Sequence, residues 1–126
     1  MAGPAIFKTK WFQRFARREK LGDERLLAAV ERAERGQVDA DLGGGVIKQR
    51  IAREGRGRSG GYRAIIVYRR GRSAVLMYGF AKNERPNITA EEAAQFKEAA
   101  RHILRLTGAQ LAGLVAAGDF IEVRRP

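Results

Sequence analysis

VIKQRIAREGRGRSGGYRAIIVYRRGRSAVLMYGFAKNER, residues 46–85, is the stretch that decides the fold. It contains three short apolar segments, 46–52, 64–68 and 74–81, which are rich in Val, Ile and Tyr and are separated by glycine-rich breaks. Segments of this kind are typical of β-strands joined by turns. We therefore predict an antiparallel sheet at the centre of the protein. Because a sheet must bury one face, we expect the rest of the chain to cover it.

The same stretch concentrates the positive charge of the protein. It holds eleven Lys and Arg residues against two Glu residues, a local balance of +9, whereas the whole chain has a net charge of +11. A sequence pI of about 11.0 predicts an anionic partner, most often nucleic acid. The alternative is a basic surface that only keeps the protein in solution.

The composition also excludes several kinds of protein. The chain has no Cys and one His, so disulfides and Cys-based zinc sites are excluded and a transition-metal site is not expected. The first residues lack the apolar segment of a signal peptide, and no apolar run approaches the length of about 20 residues that spans a bilayer. We expect one cytoplasmic domain over residues 1–126, without a cofactor and without membrane association.

The region before the central stretch is predicted to contain one strand and two helices. Residues 5–8 fit a short edge strand. Trp11, Phe12 and Phe15 fall at helical spacing, which predicts an amphipathic helix with an aromatic stripe in the core. Asp23 is the predicted N-cap of the second helix. Together these helices are expected to cover one face of the sheet and to leave the opposite, basic face exposed.

Residues 46–52 alternate between two kinds of side chain. One side carries Ile47, Gln49 and Ile51. Because successive side chains of a strand point to opposite faces, Lys48 and Arg50 stand together on the other side. Residues 62–69 and 73–81 are predicted to follow as a hairpin.

Two glycine-rich segments border these strands. Residues 41–45 include three consecutive glycines but lack the Lys-Ser/Thr pair of a phosphate loop, so we interpret them as a structural loop. Residues 53–61 are rich in Gly and Arg and are predicted to be a basic loop between strands.

The chain after the hairpin is predicted to be mainly helical. Thr89 and Glu92 match a capping box, which predicts a third helix. A short helix over 109–117 and a strand over 120–123 are expected to follow. His102 belongs to the third helix and is interpreted as a surface residue rather than a catalyst.

The order of these elements and the segments VIKQRIA, SGGYRAIIVYR and YGFAKNERPNI resemble the RelE/ParE superfamily of toxins from bacterial type II toxin–antitoxin modules. The chain is most similar to the RelE-like and HigB-like members, from IFKTKWF to about Leu114. The resemblance implies a compact α+β domain, with a twisted antiparallel sheet covered by N-terminal helices and with C-terminal helices. It also implies a ribosome-dependent endoribonuclease, an mRNA interferase, that is silenced by a cognate antitoxin.

The resemblance further implies which residues act. Lys48 and Arg50 occupy the alternate positions of two active lysines of RelE, and Arg63 matches the Arg of its Gly-Tyr-Arg segment.

Two other active positions of the family are changed in this chain. A family Arg that follows the hairpin corresponds to Asn83, which is flanked by Lys82 and Arg85. A family Tyr that follows a few residues later is replaced by Thr89.

Cleavage of RNA by transesterification needs a base for the 2′-OH, a cation for the charge at phosphorus and an acid for the leaving 5′ oxygen. Arg50 and Arg63 are always charged and suit charge stabilisation. Crowding by other cations favours loss of a proton from Lys48, which makes it the candidate base. Lys82 is the predicted acid, with Arg85 as the alternative.

Further residues are predicted to contact RNA. They are Arg53, Arg56, Arg58, Tyr62, Asn83 and Arg85. Tyr62 and Tyr78 either stack on bases or belong to the core. Catalysis is expected to need no metal, because the only carboxylates in the stretch, Glu54 and Glu84, stand among Arg residues that compete for them.

Two other functions fit the same residues. One is a ParE-like toxin that inhibits DNA gyrase. The other is a non-catalytic nucleic-acid-binding module, in which the basic side chains of the sheet only bind phosphates.

Overall fold

The computed structural model describes residues 3–52 and 61–125. Along the chain the elements are β1 (Ala5–Thr9), α1 (Lys10–Glu19), α2 (Asp23–Glu34), β2 (Ala40–Gly43), β3 (Val46–Ile51), β4 (Tyr62–Arg69), β5 (Ser73–Ala81), α3 (Ala90–Ile103), α4 (Gly108–Ala116) and β6 (Phe120–Glu122). The predicted α+β fold is confirmed. Most of the predicted basic loop over 53–61 lies outside the described residues.

The described strands form one open sheet in the order β2-β3-β4-β5-β1-β6. The central strands β3, β4 and β5 are antiparallel, as predicted. Two predictions about the margins of the sheet are wrong. β1 is an interior strand, because it pairs in parallel with β5 and antiparallel with β6. β2 is a strand rather than a loop, and it pairs with β3.

α1 and α2 cover one face of the sheet. The core beneath them includes Ile6, Phe12, Phe15, Leu26, Val30, Ile66 and Leu76. The predicted aromatic stripe of α1 is only partly buried, since Trp11 is 36% exposed and stacks on the ring of Phe15 with the centroids 5.5 Å apart. α2 begins one residue earlier than predicted, because Gly22 rather than Asp23 is the N-cap. Asp23 is the first residue of the helix, and it accepts a hydrogen bond from the buried Lys8 at 3.0 Å.

α3 and α4 pack against the opposite face. The second core beneath them includes Phe7, Val46, Ile65, Val67, Val75, Ala100 and Phe120. The prediction that this whole face is open and basic is therefore wrong. The face remains accessible at Arg50, whose side chain is 66% exposed. The predicted capping box at the start of α3 is confirmed, with Thr89 as its N-cap and Glu92 as its partner.

Gln49 joins α2 to the sheet. Its side chain is completely buried on the α2 side of β3. The amide nitrogen donates to the carbonyl oxygens of Ala29 at 2.9 Å and Gln37 at 3.3 Å, and the amide oxygen accepts from the Asp39 N–H at 2.7 Å. These bonds satisfy a polar group that would be costly to bury without partners. The predicted alternation of β3 is confirmed.

Gly43 at the end of β2 and the two glycines that follow it make a tight turn into β3. Gly43, Gly44 and Gly45 have φ angles of 87°, 63° and 84°, a region that residues with a Cβ rarely adopt. Among residues 3–52 and 61–125, none of the helices could span a membrane.

Gly79 lets α1 approach β5 closely. A Cβ at this position would stand 2.4 Å from Cε2 of Phe15. We expect Gly79→Ala to lower the free energy of unfolding by ~1–3 kcal/mol, the usual cost of overpacking. Urea denaturation provides the measurement.

Gly113→Ala is the matched control, because no atom lies within 4 Å of its added Cβ. This substitution should raise the free energy of unfolding by ~0.5–1 kcal/mol. A Gly79→Ala variant as stable as the wild type would contradict this packing.

Candidate active site

β3 and β4 place three cationic side chains on the face of the sheet opposite α1 and α2. Arg50 pairs directly with Arg63 across the antiparallel ladder, and Lys48 pairs with Ile65. The structure thus brings together three of the four residues predicted to be catalytic. Like charges at directly opposed positions destabilise a sheet. Folding alone does not favour the Arg50–Arg63 pair, and two guanidinium groups at directly opposed positions can together bind an anion.

Arg63 is half-buried beside this second positive charge. Burial and the charge of Arg50 lower the pKa of Arg63, and the negative charge of Asp39 opposes them. An Arg side chain keeps its proton at physiological pH even when its pKa is lowered. A bound phosphate oxygen would relieve the repulsion between the two guanidinium groups.

Asp39 is a member of the site that the sequence did not reveal. Its Oδ2 atom accepts hydrogen bonds from the Arg50 N–H at 2.7 Å and from Arg32 Nη1 at 3.1 Å. Burial opposes ionisation, but the hydrogen bonds and charges of Arg50 and Arg32 lower the pKa of Asp39. Its Oδ1 atom lies 3.6 Å from Arg50 Nε. The ionised carboxylate therefore anchors Arg50 at the edge of the site.

Lys48 contacts a segment that lies far from it in sequence. Its Nζ atom donates a hydrogen bond to Asn87 Oδ1 at 3.0 Å. Asn87 precedes α3 and was not among the predicted site residues. Its only sequence signal is its position in the YGFAKNERPNI segment that carries the family resemblance.

Arg85 is bound within the protein instead of facing a ligand. Its Nη2 and Nη1 atoms donate to Glu92 at 2.6 and 3.1 Å, Nη1 also donates to the Tyr78 hydroxyl at 3.1 Å, and Nε donates to the Asn87 carbonyl at 3.0 Å. The guanidinium also lies over the rings of Tyr78 and Phe80. The hydrogen bonds to Glu92 and Tyr78 raise the pKa of Arg85. Four of its five N–H donors are engaged, so the structure does not support Arg85 as an RNA contact or as the acid.

The two tyrosines considered for base stacking lie on opposite sides of the sheet. Tyr62 is 3% exposed in the core beneath α1 and α2, and its hydroxyl donates to Glu19 at 2.9 Å. A ring buried in this way has no face for a base, so we remove Tyr62 from the predicted RNA contacts. Tyr78 is half-buried on the other side, with its ring centroid 4.5 Å from that of Trp11.

The remaining predicted site residues are distributed around these groups. Lys82 and Asn83 are exposed directly after β5. Arg53, Arg56 and Arg58 lie outside the described residues.

Two further positions have other roles. Thr89, at the place of the family Tyr, is the N-cap of α3. His102 is exposed beside Glu98 on the same helix.

Among residues 3–52 and 61–125, His, Asp and Glu form no group of three that could hold a metal ion.

The fold and the cationic face define a small α+β protein with positive charge concentrated on one side of its sheet. A family model described as the RelE toxin of the RelE / RelB toxin–antitoxin system matches residues 5–123. The chain belongs to this family. A comparison with curated proteins gave no match.

The family establishes the biological role in general terms. The protein is a toxin of a toxin–antitoxin system, and its family implies an antitoxin as its partner.

Glu92 couples the stability of the site to pH. The hydrogen bonds from Arg85 and from the Thr89 N–H lower the pKa of Glu92 from 4.5 to about 2. A carboxylate with a lowered pKa stabilises the folded state fully above its unfolded pKa, and this contribution is lost as the pH falls through the folded pKa. We therefore expect Glu92→Gln to be less stable than the wild type at pH 6, with the difference shrinking between pH 4.5 and 2.

Urea denaturation at several pH values measures this difference. Glu91→Gln changes the neighbouring, exposed carboxylate and is the matched control. A stability difference for Glu92→Gln that stays constant from pH 6 to pH 2 would contradict the assignment of the Arg85–Glu92 pair.

Proposed function

We propose that this toxin is a metal-independent endoribonuclease that cleaves mRNA on the ribosome, in the cytoplasm, and so arrests translation. The observation that carries the proposal is the direct pairing of Arg50 with Arg63, on the same face as Lys48. Cleavage of mRNA on the ribosome is also the usual activity of RelE toxins. The three segments that resemble RelE-like and HigB-like toxins support this branch of the superfamily, with the whole chain acting as one domain.

The proposed reaction is an attack of the ribose 2′ oxygen on the adjacent phosphorus. Lys48 Nζ takes the proton of the 2′-OH, the new P–O bond forms, and the bond to the 5′ oxygen breaks. Arg50 and Arg63 stabilise the additional negative charge on the phosphate oxygens as it develops. Lys82 gives a proton to the leaving 5′ oxygen. The products are a 2′,3′-cyclic phosphate and a 5′-hydroxyl end.

The geometry supports these roles in two ways. Lys48 and Arg50 are two residues apart on one strand, a rise of about 7 Å, so their long side chains leave the same face and can converge on one phosphate group and the ribose beside it. Lys82 follows β5, whose Phe80 pairs with Arg63. The Lys82 N–H donates to the Gly61 carbonyl at 3.0 Å, which holds the backbone of Lys82 next to the start of β4, two residues from Arg63.

The antitoxin is proposed to silence the toxin by covering the cationic face. An acidic or helical segment complements the charge of Arg50 and Arg63, and the same partner could also hold the C-terminal helices. Such a segment would exclude RNA by occupying the phosphate site directly.

Substitution of the proposed catalytic residues tests the proposal. Lys48→Ala, Arg63→Ala and Lys82→Ala should each slow cleavage by ~10²-fold or more, the usual scale for losing an acid–base or charge-stabilising group. Primer extension on mRNA bound to purified ribosomes measures the cleavage. His102→Ala is the control and should cleave at the wild-type rate, because His102 is exposed on α3 away from the site. Full activity in a Lys48→Ala, Arg63→Ala double variant would show that this surface binds phosphate but is not the active site. Gyrase poisoning with intact mRNA would refute the nuclease itself.

Metal independence has its own test, since ribosomes need Mg²⁺ to stay intact. A sulfur that replaces a non-bridging oxygen of the scissile phosphate should slow cleavage. Soft metal ions bind sulfur better than Mg²⁺ does, so Cd²⁺ restores the rate only where a metal ion contacts that atom. We expect no restoration by Cd²⁺ for either sulfur position. A restored rate would show that a metal ion acts in the reaction.

A further inference from the structure

The contact between Lys48 and Asn87 joins the proposed base to a separate part of the fold. Lys48 lies on β3, whereas Asn87 lies in the segment between β5 and α3. Asn87 Oδ1 accepts from Lys48 Nζ at 3.0 Å and from the Ile88 N–H at 2.8 Å. The second bond fixes the orientation of the carboxamide, so its oxygen is held in place before Lys48 approaches.

The segment that carries Asn87 is itself clamped. Arg85 Nε donates to the Asn87 carbonyl at 3.0 Å, and the same guanidinium binds both carboxylate oxygens of Glu92. Glu92 Oε1 also accepts from the Thr89 N–H at 2.8 Å, which completes the capping box of α3. The backbone and the side chain of Asn87 are thus both tied to the start of α3.

We propose that Asn87 is a positioning residue for Lys48, and that the Arg85–Glu92 pair holds Asn87 for this role. The inference rests on the proposed function, in which Lys48 is the base. One N–H of the neutral amine stays bonded to Asn87 Oδ1, which limits rotation of the amine and aims its lone pair at the 2′-OH. After proton transfer, the ammonium keeps the same bond.

The chemistry of the amide explains why an Asn serves better here than an Asp. The carboxamide oxygen is neutral, so it orients the amine without adding the negative charge that would retain the proton. Among the described residues, the other charged groups of this face and of the segments packed against it include Asp39, Arg50, Arg63, Lys82, Arg85, Glu92 and Lys97. The acidic groups in this set are both bound to arginines, Glu92 to Arg85 and Asp39 to Arg50 and Arg32.

The experiment compares Asn87→Ala and Asn87→Asp with Lys48→Ala, by single-turnover cleavage of ribosome-bound mRNA at saturating toxin. We expect Asn87→Ala to lower the cleavage rate by ~10-fold or more, since a displaced catalytic group can cost up to ~10²-fold. The toxin concentration that gives half-maximal cleavage should change little. Asn87→Ala combined with Lys48→Ala should be no slower than Lys48→Ala alone. Gln95→Ala, an exposed amide on α3, is the matched control and should behave as the wild type.

The pH dependence separates positioning from a structural role. Aspartate retains both hydrogen bonds but stabilises the ammonium form of Lys48. Asn87→Asp should therefore shift the rise of the cleavage rate to higher pH and recover activity in alkaline buffer, whereas Asn87→Ala should not recover. A purely structural role would leave the pH profile unchanged. Because Asn87→Asp keeps the contacts of the fold, it decides the question even if Asn87→Ala fails to fold.

The outcomes distinguish the two proposals. If Lys48→Ala abolishes cleavage while both Asn87 variants keep the wild-type rate and pH profile, the positioning role is wrong and the nuclease stands. If Lys48→Ala cleaves at the wild-type rate, Lys48 is not the base, and the role of Asn87 fails with it.

Discussion

The buried amide of Gln49 is the interaction on which the arrangement of this protein depends. Its hydrogen bonds join β3 to α2 through Ala29, and to the segment between α2 and β2 through Gln37 and Asp39. A strand that slips by one residue turns every side chain to the other face. Such a slip in β3 would bury Lys48 beneath α2 and leave these backbone groups without their partner. Gln49, with the buried Ile47 and Ile51 on the same side of β3, therefore keeps Lys48 and Arg50 on the opposite side of the sheet.

The outer side of the sheet combines two opposing requirements. Near α3 and α4 it is apolar and packed, and at Arg50 and Arg63 it carries like charges in direct opposition. The Asp39 carboxylate binds the backbone N–H of Arg50 and lies close to its Nε atom, yet the Arg50 side chain stays 66% exposed. The protein thus accepts an unfavourable pair of charges at the margin of a well-packed layer. Preorganised charge of this kind needs no rearrangement when an anion arrives.

Local patterns predicted the central part of the fold, and tertiary contacts determined the rest. Alternation in β3 and the capping box at Thr89 are short-range signals, and both are found in the structure. β2 escaped prediction because its ADLG sequence has little strand propensity; pairing with β3 makes it a strand. Tyr62 could not be assigned to a face, since β4 is apolar on both sides and only its pairing with β3 decides the matter. The hydrogen bonds of Arg85 join Tyr78 of β5 to Glu92 of α3. No local sequence pattern predicts that these two elements come together.

The interior position of β1 has a consequence for how the chain is made. β1 lies near the start of the sequence, but both of its partner strands lie much further along it: Ala5 pairs with Ser73, and Phe7 pairs with Glu122. Pairings between such distant positions close large loops and form slowly compared with local contacts. β1 can form its hydrogen bonds on both sides only after β5 and β6 have left the ribosomal exit tunnel. The complete sheet can therefore form only after residues 120–122 have been synthesised, long after β1 itself has emerged.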